Sequence, residues 1–331
     1  MIPTHDRQMT QRPARRHPHS RLRTTALAAL LCAVISAAHA QAPVPAAMPK
    51  PAETTEIVAD EMQYDTEKGV FLGDGNAEVV NGEIRITSDR IVGTLSPETN
   101  KVESVEVTGH VVITHGESRA TANKATYDLK TETIVLTGDP KLDHGPHNLT
   151  GAEEVTYSVH DGIFRTKDGR VRLQLKRDAD ANELIKELPL AEDGAAAPIG
   201  GAGGRQIILA DSLEFKTVDR LVNFTGDVQV DDADMTLHSQ SLAVHYGEDN
   251  QVTRITANKS VRAVRGDQIA TAETADYDVI KGYLEMTGNP ILEEPRVKML
   301  DSDRIEYVRS TGKFKAVGRP KVIFKTTKTT P

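Results

Sequence analysis

The sequence has no tryptophan, one cysteine in 331 residues and only 4% aromatic residues. Binding by stacking a ligand on aromatic platforms is therefore not expected. The lone cysteine, Cys32, sits in a leader that the mature chain is expected to lose, so no disulfide can form and folding rests on the core. Leu30 and Leu31 precede it rather than a small residue, which does not fit a lipid-acylation site. Positive charge is also short. Lys and Arg number 40 against 48 Asp and Glu, a net charge of −8. An acidic surface repels nucleic-acid phosphates and anionic membrane surfaces, and nucleic acid is excluded as a partner. The sequence shows no nucleophile elbow, phosphate loop or paired carboxylates at catalytic spacing. A non-enzymatic protein without a cofactor is expected.

What is present begins with a secretory leader. Arg7, Arg12, Arg15, Arg16, Arg21 and Arg23 precede an apolar run over 26–38, and Ala38, His39 and Ala40 form an A-x-A cleavage site before Gln41. This is the pattern of a signal peptide cleaved after Ala40, and the run is too short to span a bilayer. The His-Pro-His after Arg16 favours the general export route over the twin-arginine one. Export places the protein in the periplasm. Cleavage removes six Arg and one Asp, leaving 34 bases and 47 acids, a net charge of −13. Residues 41–54, rich in Ala and Pro, read as a flexible leader.

The body of the chain is a duplication. Residues 120–142 (ATANKATYDLKTETIVLTGDPKL) recur at 270–292 (ATAETADYDVIKGYLEMTGNPIL), with 10 of 23 positions identical. Upstream, 57–60 (IVAD) answers 208–211 (ILAD), and downstream Tyr157 answers Tyr307. The unit is about 120 residues, a typical domain size. The expected division is a first module over 55–177, a linker over 178–205, a second module over 206–325 and a polar tail over 326–331. Residues 180–188 fit one or two helical turns, and the Gly-rich 194–204 a flexible tether.

Both modules are built from short runs in which apolar residues alternate with polar ones, the signature of half-buried strands. In the first, Ile84 and Ile86 share one face, as do Val105, Val107, Val111 and Ile113, and then Ile134 and Leu136. In the second, Val228 and Val230, Leu242 and Val244, and Leu284 and Met286 do the same. Gly75, Gly109, Gly138 and Gly169, and in the second copy Gly226, Asn258, Gly288 and Gly318, mark a beat of about thirty residues and read as turns between hairpins. Tyr127-Asp128 and Tyr277-Asp278 read as strand-end packing plus a turn. His144 and His147 lack the partners of a metal site and read as a polar turn. The fold class is all-β: a sandwich, barrel, jelly roll or β-solenoid.

The recurring Ile/Val-x-Ala-Asp segment and the Tyr-Asp … Thr-Gly-Asn/Asp-Pro-x-Leu segment together resemble the OstA-like (LptA) family of periplasmic lipopolysaccharide transport proteins. The residues that carry this are 57–65, 120–142, 208–215 and 270–292, and the resemblance covers most of both modules. It implies two tandem incomplete antiparallel β-jelly rolls with an apolar interior that receives lipid acyl chains. The fourteen alternating residues from Ile84 to Met286 would then line that interior. A buried chain of a dozen carbons would gain about 10 kcal/mol before entropy costs, at about 0.8 kcal/mol per methylene. The partners implied are lipopolysaccharide and an LptC-like anchor and LptD-like outer-membrane protein, or a further copy of the chain by edge-strand addition at 56–60 and 321–324. The expected span lacks the anchor of LptC and the barrel of LptD. Three readings stay open from the residues alone: apolar side chains that fill a closed sandwich, a secreted β-solenoid scaffold, and a jelly-roll carbohydrate-active or metal enzyme.

Overall fold

The computed structural model describes residues 56–324, except 97–101, 117, 129, 145–146, 159, 177–204, 233–234, 249–251, 309–310 and 312. The signal peptide, the Ala/Pro leader, the helical turns and tether of the linker, and the tail lie outside the described residues. The described residues form 22 β-strands and no helix. The first ten are β1 (Glu56–Val58), β2 (Glu61–Asp65), β3 (Val70–Asn81), β4 (Ile84–Leu95), β5 (Val102–His115), β6 (Ser118–Asp128), β7 (Thr133–Thr137), β8 (Lys141–His144), β9 (His147–Ser158) and β10 (Ile163–Lys176). The second module begins with β11 (Arg205–Ala210), β12 (Ser212–Lys216), β13 (Leu221–Asp232), β14 (Met235–Tyr246), β15 (Val252–Arg265) and β16 (Gln268–Asp278). It ends with β17 (Tyr283–Thr287), β18 (Ile291–Glu293), β19 (Val297–Leu300), β20 (Arg304–Val308), β21 (Lys313–Val317) and β22 (Lys321–Phe324).

Every pairing is antiparallel and follows chain order. The short strands β1 and β2 lie end to end along β3, and β3 through β6 pair in succession. Strands β7 and β8 share the other edge of β6 and lead to β9 and β10. The second module repeats the scheme from β11 and β12 onward. Each long strand is bent in its middle, so its two halves belong to two facing sheets, the architecture of an incomplete jelly roll.

The bends correct one sequence expectation. The glycines with the thirty-residue beat are not hairpin turns. Gly75, Gly109, Gly169 and Gly226 lie inside β3, β5, β10 and β13; Asn258 lies inside β15; Gly138, Gly288 and Gly318 lie in the breaks between collinear short strands. At the corner of β13, Gly226 and Asp227 take φ of 81° and 40°, and pairing with β14 shifts between Thr225 and Val228. Such a bulge adds a residue to one strand and bends it. A Cβ on Gly226 would lie 2.2 Å from Asp211 Oδ2, so the corner also needs the missing side chain. The hairpin turns lie elsewhere, and two of them use the Tyr-Asp pair as read from sequence. Asp128 accepts from the backbone N–H of Lys130 and Thr131, and Asp278 from that of Lys281. The Thr131 amide, with other donors in the turn, holds the Asp128 carboxyl below its ordinary range. The adjoining Tyr127 and Tyr277 are buried.

The two modules are not merely tethered. Strand β10 pairs with β11 and with β12, so one ladder runs through both modules. Arg170 clamps the joint. Its guanidinium donates to Asp211 Oδ1 at 3.0 Å and to the Asp227 carbonyl at 2.7 Å. Inside the joint, buried Thr166 stands where the backbone ladder is interrupted. Its Oγ1 accepts from Leu213 N–H at 2.8 Å and donates to the Leu213 carbonyl at 3.4 Å.

An inner row of paired residues crosses the whole molecule. It starts Tyr64, Phe71, Gly93, Val105, Tyr127, Ile134, Tyr157 and Phe164. It continues through Phe215, Val222, Val244, Ile255, Tyr277, Leu284, Tyr307 and Phe314. Sizes compensate along it. A Cβ on Gly93 would lie 1.9 Å from the Phe71 ring, and the second copy has Val222 and Val244 in place of that large–small pair.

Candidate functional site: an apolar cavity in the second module

The fourteen residues expected to line the interior all lie on inner faces. Twelve belong to one packed core that runs from Ala77 to Val261 across the joint. Ile84, Ile86, Val105, Val107, Val111, Ile113, Ile134 and Leu136 meet their neighbours there, as do Val228, Val230, Leu242 and Val244. The remaining two, Leu284 and Met286, line a cavity of about 150 Å³ between the sheets of the second module. One wall is Leu237, Val261, Ala263, Ala270 and Leu292; the other is Ala275, Tyr277, Leu284, Met286, Tyr307 and Phe314. The walls come from both halves of the bent strands, so the cavity lies between two sheets and is partly open to solvent.

The buried inner residues of the first copy and the walls of this cavity differ in side-chain volume and cover. Ile113 pairs with Ala120 and is 1% exposed. Its counterpart in the second copy is Ala263, which pairs with Ala270. Val107 is likewise replaced by Ala257. Cover differs too. Leu173 on β10 pairs with β11 and is 2% exposed, whereas its counterpart Val322 on β22 pairs with β19 alone among the described residues and is 44% exposed. Alternation alone could not reveal Met235, Ala263, Ala270, Tyr277 or Phe314 as lining residues. A position-by-position comparison of the copies for large-to-small changes carries that signal.

The cavity is chemically simple. Tyr307 and Phe314 stack at its wall with ring centroids 4.6 Å apart. Polar groups gather at one rim, where Gln268 Nε2 donates to Glu294 Oε1 at 3.1 Å beside half-buried Arg265. Deeper in, the Tyr277 hydroxyl is buried with no hydrogen-bond partner among the described residues. Among the described residues no three His, Cys, Asp or Glu side chains cluster as metal ligands. The arrangement can hold hydrocarbon. Apolar cavities of about this size stay dry and accept a six-carbon ligand, so about half of a twelve-carbon chain fits.

The two ends of the ladder show the faces that the joint buries. Met62 and Tyr64 on β2 are 50% and 52% exposed, while their counterparts Leu213 and Phe215 at the joint are buried. At the other end Val322, Ile323 and Phe324 are exposed. Among the described residues, strands β1 and β2 pair only with β3, β21 only with β20, and β22 only with β19.

A pair of jelly rolls fused by one ladder, with an apolar cavity between its sheets, defines an all-β protein with a hydrocarbon-lined interior. The model of the family described as LptA/(LptD N-terminal domain) LPS transport protein matches residues 56–163 and 207–313, one segment in each module. The chain belongs to this family. It is similar to the lipopolysaccharide export system protein LptA of Haemophilus influenzae, at 32% identity over 110 residues, which is 31% of this chain. The chain spans 63% of the length of that relative. Among solved structures it is similar to LptH of Pseudomonas aeruginosa, the LptA-homologous periplasmic component of the lipopolysaccharide transport device. That match has 18% identity and a TM-score of 0.31, and covers 34% of this chain and 82% of the other.

Proposed function

We propose that this protein is a periplasmic carrier that passes lipopolysaccharide from the inner toward the outer membrane and holds its acyl chains between the sheets. The observation that carries this reading is the apolar cavity lined by Leu284 and Met286 in a chain of this family. Burying about six carbons there contributes about 5 kcal/mol at about 0.8 kcal/mol per methylene. In the first module the side chains meet, so passage requires its two sheets to part. No bond is broken in this scheme. The modules 55–177 and 206–325 act as one unit, exported by the signal peptide over residues 1–40.

The exposed end strands are the contact points for the rest of the bridge. An LptC-like anchor, an LptD-like outer-membrane protein or a further copy of this chain would add a strand there, as β10 adds to β11 and β12 within the chain. Unpaired apolar edges are otherwise an aggregation hazard.

The test is co-purification of lipopolysaccharide with the wild type and with Ala263→Ile. Ile113 shows that the fold accommodates isoleucine at this position. The wild type should retain the lipid and the variant should lose most of it while staying folded. Equal retention by both would remove the cavity from the mechanism, and no retention by either would end the carrier reading.

A further inference from the structure

The cavity contains one group that its surroundings do not explain. The Tyr277 side chain is 5% exposed, and its hydroxyl has no hydrogen-bond partner among the described residues. Leaving a buried hydroxyl unpaired is costly. Ala275, Leu284, Met286 and Phe314 line the cavity beside it with hydrocarbon, sulfur and an aromatic ring. Phenylalanine fits this inner row, since Phe164, Phe215 and Phe314 all occupy it. A ring without a hydroxyl would therefore fill the place at no such cost. At the rim Gln268 Nε2 donates to Glu294 Oε1, and no rim group is a hydrogen-bond partner of the Tyr277 hydroxyl. The counterpart in the first module, Tyr127, sits in a packed core.

We propose that Tyr277 sets specificity: its hydroxyl hydrogen-bonds an oxygen carried on the hydrocarbon of the ligand, so that the site prefers acyl chains bearing a hydroxyl or ester carbonyl over plain chains. The inference rests on the cavity's being the acyl site proposed above. In the ligand-free protein the hydroxyl is a destabilising feature; in the complex it is paired, and selection follows from that difference.

The experiment measures displacement of a fluorescent fatty acid from the whole mature protein. The competitors are hexadecanoic acid and its analogues hydroxylated near the carboxyl end or near the methyl end. One hydroxylated acid should bind the wild type about tenfold more tightly than the plain acid, the size of a well-placed buried hydrogen bond. In Tyr277→Phe the ratio of the two affinities should fall to about one, and the ligand-free variant should melt at a higher temperature. A preference that is absent in the wild type, or that survives in the variant, overturns the inference and leaves the acyl site standing. A variant that melts lower also overturns it, because the hydroxyl would then have a partner within the fold. If no acid displaces the probe, the acyl site itself fails and the inference with it.

Discussion

Phe164 and Phe215 pair across the joint between the two modules, and both are buried. Each comes from a strand that would be an edge if its module stood alone. Tyr64 occupies at the free end the position that Phe215 occupies at the joint, and it is half exposed. Phe215→Ala should therefore lower unfolding stability by about 3–5 kcal/mol, as large-to-small changes at packed aromatic sites do. Tyr64→Ala should cost less than about 1 kcal/mol, in the range of surface changes. Urea unfolding of both variants checks the contrast.

The joint also has an electrostatic element. Arg165 Nε donates to Glu214 Oε2 at 2.8 Å between β10 and β12. Partial burial works to raise the Glu214 pKa, but the hydrogen bond from Arg165 and the charge of Lys216 outweigh it, and the net shift is downward from 4.5. A carboxyl whose folded pKa is depressed adds stability above its unfolded pKa and loses it as pH falls through the folded one. The contribution of Glu214 should thus be present at neutral pH and fade below about pH 4.5. Both groups are partly exposed, so the effect is at most about 1 kcal/mol and shrinks in high salt. Glu214→Gln should flatten this part of the pH–stability profile and leave the rest unchanged.

Corner and hairpin glycines should differ in their tolerance of a methyl group. Gly226 and Gly266 both have positive φ, 81° and 52°. A Cβ on Gly226 meets Asp211 at 2.2 Å, whereas one on Gly266 meets nothing within 4 Å. Gly266→Ala should cost about 1–2 kcal/mol, the left-handed backbone penalty alone. Gly226→Ala should cost clearly more and disturb the Asp211–Arg170 clamp, measured as a larger drop in thermal midpoint.

The sequence made the strands and their inner faces legible because alternation reports which side of a pleat is buried. The Tyr-Asp turns were legible for a similar reason: an aspartate at a strand end has a local backbone partner. The corners were misread because positive φ favours glycine equally in a hairpin turn and in a mid-strand bulge. The joint was invisible because β10 and β11 are held largely by backbone groups, which every residue carries. The cavity depends on absent volume, at Ala263 above all, and an alanine on an inner face fits the alternation as well as an isoleucine does.

If the free ends join as the internal modules do, the register follows from the repeat. Leu173 pairs with Ile208 at the joint, and their counterparts are Val322 and Ile57. The mature chain is expected to lack cysteine, so Val322→Cys combined with Ile57→Cys should give disulfide-linked oligomers under mild oxidation. Moving the second cysteine to Val58, whose side chain points to the other face, should suppress them. Gel electrophoresis without reductant reads the result.

The most direct measurement places a photocrosslinking amino acid at Leu284, on the cavity wall, and separately at Glu285, its neighbour on the outer face of β17, in cells that make lipopolysaccharide. An adduct with lipopolysaccharide at 284 and none at 285 is the predicted result. Adducts of equal yield at both positions, or none at 284 in a folded and exported protein, would contradict a carrier that holds acyl chains between its sheets.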